Sequence, residues 1–205
     1  MDLITLQDAR WLIPPLCLAA YLLGSISSAI LICRLFGYPD PRTQGSSNPG
    51  ATNVMRIAGK PAAALTLAGD VLKGVVPVLI AWQLGLSATA TALIGCFAFL
   101  GHLLPVFFQF RGGKGVATAF GLLFALYWPI GVMTGISWLV VFGIGRISSL
   151  ASIIAFLVMP VTVWYWLPGA FWPMLLLTLV LLARHHSNIR KLIKGEELGF
   201  RKSRR

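Results

Sequence analysis

Continuous apolar runs recur along the whole chain, and few architectures can hold them. They cover roughly 11–33, 61–82, 87–109, 115–131, 132–146, 149–166 and 169–183. A helix of about 20 apolar residues crosses the roughly 30 Å hydrocarbon core of a bilayer. In that medium only helices and closed barrels satisfy every backbone N–H and C=O. The runs are unbroken rather than alternating, so they read as helices and not as barrel strands. With 57% hydrophobic and 11% charged residues, the chain has too little polar side chain to cover a water-soluble globule. The expectation is an all-α, polytopic integral membrane protein: one transmembrane domain over residues 1–205, with about seven spans. Pro129 with Gly131, and Trp166-Leu167-Pro168-Gly169, mark the expected tight turns between the fourth and fifth and the sixth and seventh spans.

The basic residues orient this bundle. Apart from Arg10 and Lys73, every Lys and Arg falls in four segments that a seven-span topology puts on one side. These are Arg34, Arg42, Arg56 and Lys60; Arg111 and Lys114; Arg146; and Arg184 with the tail from Arg190 to Arg205. The positive-inside rule makes that side cytoplasmic and turns the N-terminus outward. The formal charge of +11 is thereby explained by topology and attraction to anionic lipid, so no nucleic-acid partner is expected. Cys17, Cys33 and Cys96 lie inside spans and act as small apolar residues. The first run lacks a basic leader and a small-residue cleavage site, so it is expected to be a retained helix. Small residues at Gly24-Ser25-Ile26-Ser27-Ser28-Ala29 are expected to serve close helix packing. Asp70 and Lys73 share a helical face and are expected to pair. His102 is expected to be a hydrogen-bonded interior residue.

Three polar segments stand apart. Gly112-Gly113-Lys114-Gly115 removes the Cβ atoms that keep a ligand off the backbone, beside an ammonium, which outlines an anion cradle. It is not a P-loop, because Phe108 and Gly115 stand where that motif needs glycine and Ser or Thr. Residues 40–56 concentrate hydroxyls, amides, glycines and arginines, with Ser46 and Ser47 as donors and Arg42 or Arg56 as anion clamps. In Arg184-His185-His186-Ser187-Asn188, a continuing helix would put His185 and Asn188 on one face. All three segments fall on the same expected side. No carboxylate pair, metal cluster or Ser-His-Asp set is visible, so no metal or cofactor is expected. Such parts suit a substrate that is already phosphorylated and activated, to which the protein supplies charge neutralisation and positioning.

At these residues the chain resembles the bacterial acyl-phosphate glycerol-3-phosphate acyltransferases, the PlsY family. The likeness is carried by Gly24-Ser25, Asp40 through Gly45-Ser46-Ser47-Asn48-Pro49-Gly50 and Asn53 to Arg56, Gly101-His102 to Gly115, and Arg184-His185 with Asn188 to Glu197. Most members have a glycine where this chain has Ser47, which adds a side chain beside the expected phosphate site. The resemblance implies acyl transfer from acyl phosphate to the 1-hydroxyl of glycerol 3-phosphate, giving lysophosphatidic acid and phosphate early in phospholipid synthesis. It implies seven helices, a cytosol-facing site in the bacterial inner membrane, and no acyl-CoA or acyl carrier protein as direct donor. By position, His185, Asn188 and Ser46 are the expected catalytic residues. Arg56, Lys114, Gly112, Gly113, Gly115, Asn53 and Arg42 are the expected substrate and phosphate ligands. The proton acceptor is left open between His185 and a substrate phosphate oxygen, and a functional monomer is expected. A small-anion transporter shares the cationic mouth, but it should line the later spans with polar side chains, and those spans are nearly devoid of them.

Overall fold

The computed structural model describes residues 8–200. Asp2 and the tail residues Arg201, Lys202, Arg204 and Arg205 lie outside that range. The described chain is helical: α1 Ile13–Gly24, α2 Ser28–Leu35, α3 Ala51–Gln83, α4 Ala88–Leu103, α5 Val116–Leu126, α6 Trp128–Gly145, α7 Ser148–Trp166, α8 Phe171–Arg184 and α9 His186–Ile193. Five segments are long and apolar enough to cross a membrane, or six when α8 and α9, bent by 56°, count as one.

The expected first span stands as one candidate crossing, Arg10–Leu35, but its helix is interrupted. Ser25 turns its hydroxyl onto the Tyr21 carbonyl at 2.8 Å, and Ser27 is extended, so α1 and α2 meet at a kink. The carbonyl of Ile26, lost to the helix, accepts instead from Lys73 Nζ at 2.9 Å. That ammonium also holds Asp70 Oδ1 at 2.9 Å, and the same oxygen lies 3.5 Å from His102 Nδ1. The pair expected on one helical face is therefore a three-residue cluster, nearly free of solvent, that splices the kink to α3 and α4.

Other boundaries also shift. The run 87–109 stops being α-helical at Leu103, after which Pro105 leads into a 3-10 turn over Val106–Phe108. The run 115–131 shrinks to α5, 11 residues and about 16 Å, too short to cross alone. Its end is set by extended Tyr127, not by Pro129 or Gly131, and Pro129 lies in the first turn of α6, where a missing N–H costs nothing. Beyond 103 and 126 the apolar residues continue, so hydropathy does not mark these ends.

Short as it is, α5 is central. It packs chiefly on α3, with α4 and α6 alongside. A Cβ on Gly74 would strike the Thr118 carbonyl, and one on Gly121 would strike the Val71 carbonyl. The two glycines let the backbones approach as small residues do between membrane helices. Gly24 and Gly101 do the same for α1 and α4, against the carbonyls of Ala98 and Tyr21. Around this seam Val78, Phe99, Leu122, Leu123, Phe156, Met159 and Met174 form the main apolar core. Leu139, Ile144, Val161 and Leu176 face outward, with Trp128, Trp164, Tyr165 and Trp172 exposed near helix ends, as lipid-facing surfaces and interfacial belts require.

Lys73→Met leaves Asp70 charged without its ammonium and Ile26 without its donor. The expected loss is about 3–5 kcal/mol, the usual result of removing one partner of a buried pair. It should appear as a lower unfolding midpoint in detergent, partly restored when Asp70→Asn is added. An unchanged midpoint for Lys73→Met would mean that the splice carries no load.

Candidate active site

The loop between α2 and α3 is wound around one side chain. Asn53, in the first turn of α3 and 1% exposed, accepts the Ser46 N–H on Oδ1 at 2.9 Å. Its Nδ2 donates to the carbonyls of Pro41 and Gln44, each at 2.9 Å. Both amide hydrogens and an oxygen lone pair thus hold the loop, so Asn53 positions Ser46 and is not a free ligand group. Arg42 is likewise engaged. It grips Asp40 through Nε and a second nitrogen, the closest contact being 2.7 Å, and donates to the Phe108 carbonyl at 3.3 Å. Loop 40–50 is thereby tied to the turn before the glycine run.

The glycines of that run are needed for reasons other than ligand access. Side chains on Gly112 and Gly113 would collide with the His102 carbonyl and the His102 ring, and one on Gly115 with the Phe99 ring. Gly113 N–H donates to the His102 carbonyl at 3.1 Å, and Gly115 sits at φ +82, a left-handed conformation that L side chains rarely adopt. Close approach to α4 forces the run into its shape. Arg184 then locks it, donating to the carbonyls of Gly112 and Gly113 at 3.1 and 3.0 Å.

These restraints bring Ser46, Asn53, Arg56, Lys114, Gly115, His185 and Asn188 to the wall of one cavity of about 880 Å³. Arg42 and Gly112 line a different cavity, and Gly113 lines neither, so the expected cradle is not a single surface. The side chain added at Ser47 also faces the second cavity. Ser47 keeps the turn that a glycine would make, at φ +56.

The first cavity is two-ended. Its mouth gathers Arg56, Lys60, Lys114, Arg146 and Lys191 against the carboxylate of Glu197, while Ala64 and Leu67 of α3, Val116 and Phe120 of α5 and Trp138 of α6 give it an apolar side. Lys114 Nζ has no ion-pair partner among the described residues. Burial lowers its pKa to about 8; Lys191, Arg56 and Arg184 add to the fall, and Glu197 opposes it. His185, 1% exposed, ends α8 with Nδ1 2.8 Å from the Leu181 carbonyl. A carbonyl only accepts, so Nδ1 carries the hydrogen and the neutral ring keeps its lone pair on Nε2.

Two participants escaped the sequence reading of the site. Glu197 Oε1 accepts from Ser149 at 2.5 Å and from Asn188 Nδ2 at 2.6 Å. Because a carboxylate only accepts, this fixes the Asn188 amide, whose buried Oδ1 is left without a hydrogen-bond partner. The chain then continues over the mouth: Arg56 donates to the Leu198 carbonyl at 3.1 Å and stacks 5.2 Å from the Phe200 ring, and Phe200 N–H donates to the Arg146 carbonyl. The available signals were a carboxylate in a chain with few of them, and the paired hydroxyls of Ser148-Ser149 beside Arg146.

The chain as a whole matches known proteins. Residues 15–195 match the family model described as glycerol-3-phosphate acyltransferase. A glycerol-3-phosphate acyltransferase of Methylococcus capsulatus is 51% identical over 193 residues, covering 93% of this chain and 96% of the relative. One from Pseudomonas paraeruginosa is 51% identical over 186 residues, covering 90% and 98%. Among solved structures, the glycerol 3-phosphate form of PlsY (YgiH), an integral membrane glycerol 3-phosphate acyltransferase, superposes with a TM-score of 0.88 at 38% identity, covering 92% of this chain and 96% of that one. Its lysophosphatidic acid form superposes with a TM-score of 0.86 at 37% identity, covering 92% and 95%. With the match running over residues 15–195, the chain belongs to the glycerol-3-phosphate acyltransferase family.

Proposed function

We propose that the 880 Å³ cavity transfers a fatty acyl group from acyl phosphate to the 1-hydroxyl of glycerol 3-phosphate, releasing lysophosphatidic acid and inorganic phosphate. That the chain is a glycerol-3-phosphate acyltransferase follows from its family. The donor rests on one observation: a cluster of cations and an apolar slot share a single cavity, which matches a phosphate joined through one acyl carbonyl to a hydrocarbon chain.

Lys114 and the N-terminus of α5 hold the acyl phosphate and neutralise the charge that gathers as phosphate leaves. Arg56 and Ser46 bind glycerol 3-phosphate. The unpartnered Oδ1 of Asn188 accepts from a glycerol hydroxyl. The 1-hydroxyl oxygen bonds to the acyl carbon, the bond from that carbon to the phosphate oxygen breaks, and the electron pair departs with phosphate. The hydroxyl proton has two acceptors in this arrangement, His185 Nε2 and an oxygen of the leaving phosphate. The acyl tail lies along Leu67, Phe120 and Trp138. All of these groups come from one chain, which favours a functional monomer. The basic loops favour the bacterial inner membrane with the mouth toward the cytosol.

Purified protein in detergent should form lysophosphatidic acid from acyl phosphate and glycerol 3-phosphate, and none when acyl-CoA replaces acyl phosphate. Turnover with acyl-CoA alone would overturn the donor assignment, and no turnover without a sealed vesicle would favour transport. His185→Gln separates the two proton acceptors. Near-normal kcat assigns the proton to phosphate, whereas a loss of about 10²–10⁴-fold with little change in KM is the signature of a general base.

Lys114 also gives a pH test. A lysine with a lowered pKa is charged below that value and neutral above it, so phosphate binding by the free enzyme weakens as pH rises past about 8. The expected kcat/KM therefore falls on the alkaline side of about 8. In Lys114→Arg, whose guanidinium stays charged, that fall should disappear even if overall activity is lower. An identical alkaline limb in both proteins would assign it to another group.

A further inference from the structure

The second cavity, about 350 Å³, is walled by the same loops as the first. Each polar motif contributes residues to both. Ser46, Lys114 and His185 line the first cavity, while Ser47, Gly112 and Arg184 line the second. Arg42 and Arg111 complete a cluster of three guanidiniums there.

Asp40 neutralises one of these charges through its ion pair with Arg42. The other two have no carboxylate partner among the described residues. Arg184 Nε is buried and lacks a hydrogen-bond partner, although the same guanidinium satisfies two carbonyls. The cluster keeps a net positive charge, which an anion in the cavity offsets. The rim is apolar. Phe110 lines the cavity and is 56% exposed, with Phe107 and Val106 also exposed on the preceding turn. Guanidiniums above an aromatic rim match an amphiphile at the membrane surface, with its phosphate inside the cavity and its chains alongside the rings.

We propose that this cavity is a second phosphate-binding site, distinct from the acyl-transfer pocket, and that it holds the headgroup phosphate of an anionic phospholipid. It is separate from the acyl-transfer reading, because the cavity shares none of its lining residues with the first. A lipid held there rests against Gly112, in the loop that presents Lys114.

Native mass spectrometry of the full chain in detergent, with phosphatidylglycerol and phosphatidylcholine supplied in equal amounts, tests the site. The wild type should retain one phosphatidylglycerol in preference to phosphatidylcholine. Arg111→Glu and Ser47→Asp should each weaken that retention at least about fivefold, the effect of about one surface charge on binding to anionic lipid. Lys114→Ala, which alters the first cavity, should retain the lipid as the wild type does. A circular-dichroism melt of each variant separates a lost site from a lost fold, and Arg111→Gln supplies a milder second variant. Equal retention of both lipids by the wild type, or unchanged retention in Arg111→Glu, overturns the proposal. Release of the lipid by millimolar inorganic phosphate would assign the cavity to the free anion and overturn the lipid assignment.

Discussion

Inside a bilayer, a backbone carbonyl that its own helix releases must find another donor or cost several kcal/mol. Much of this structure is arranged around that demand. Where α1 breaks, Lys73 takes the Ile26 carbonyl. Where α4 ends, the Tyr21 hydroxyl takes the Leu104 carbonyl at 2.7 Å. Where α5 ends, Trp82 Nε1 takes the Leu126 carbonyl at 3.2 Å. Each of these three interruptions is therefore also a cross-link to another helix.

The same demand builds the candidate site. Arg184 on the glycine-run carbonyls, Arg42 on Phe108 and Asn53 on Pro41 and Gln44 are side chains satisfying loop backbone. They join three motifs from distant parts of the chain into one wall. The same three motifs line both basic cavities, with different residues at each.

Glu197 has a particular place in such a cationic setting. A carboxylate among these cations lowers the local positive potential, and here it also fixes the Asn188 amide and steadies Ser149. Its field also opposes the fall in the Lys114 pKa. With Arg56 on the Leu198 carbonyl, it ties residues 197–198 to the mouth of the cavity, so this segment belongs to the site's architecture.

Hydropathy and charge are local properties, so the amino-acid order alone determined helices, membrane insertion and the gathering of the basic segments at one end. The pairing of Asp70 with Lys73 was legible too, since three residues of spacing place both on one helical face. The resemblance carried by the three motifs led to the cavity walls, with Ser46, Lys114 and His185 together. Tertiary contacts decided the rest. The break at Ser25–Ser27 depends on a lysine 47 residues away. The glycines 112 and 113 press against His102 on α4, and Asn53 is turned inward by carbonyls 9 and 12 residues back. Arg42 and Gly112 line the second cavity instead of the first, and Glu197 is brought in by Ser149, 48 residues earlier. In every such case the deciding atom lies far along the chain, and only the packed structure brings it within hydrogen-bond or van der Waals reach.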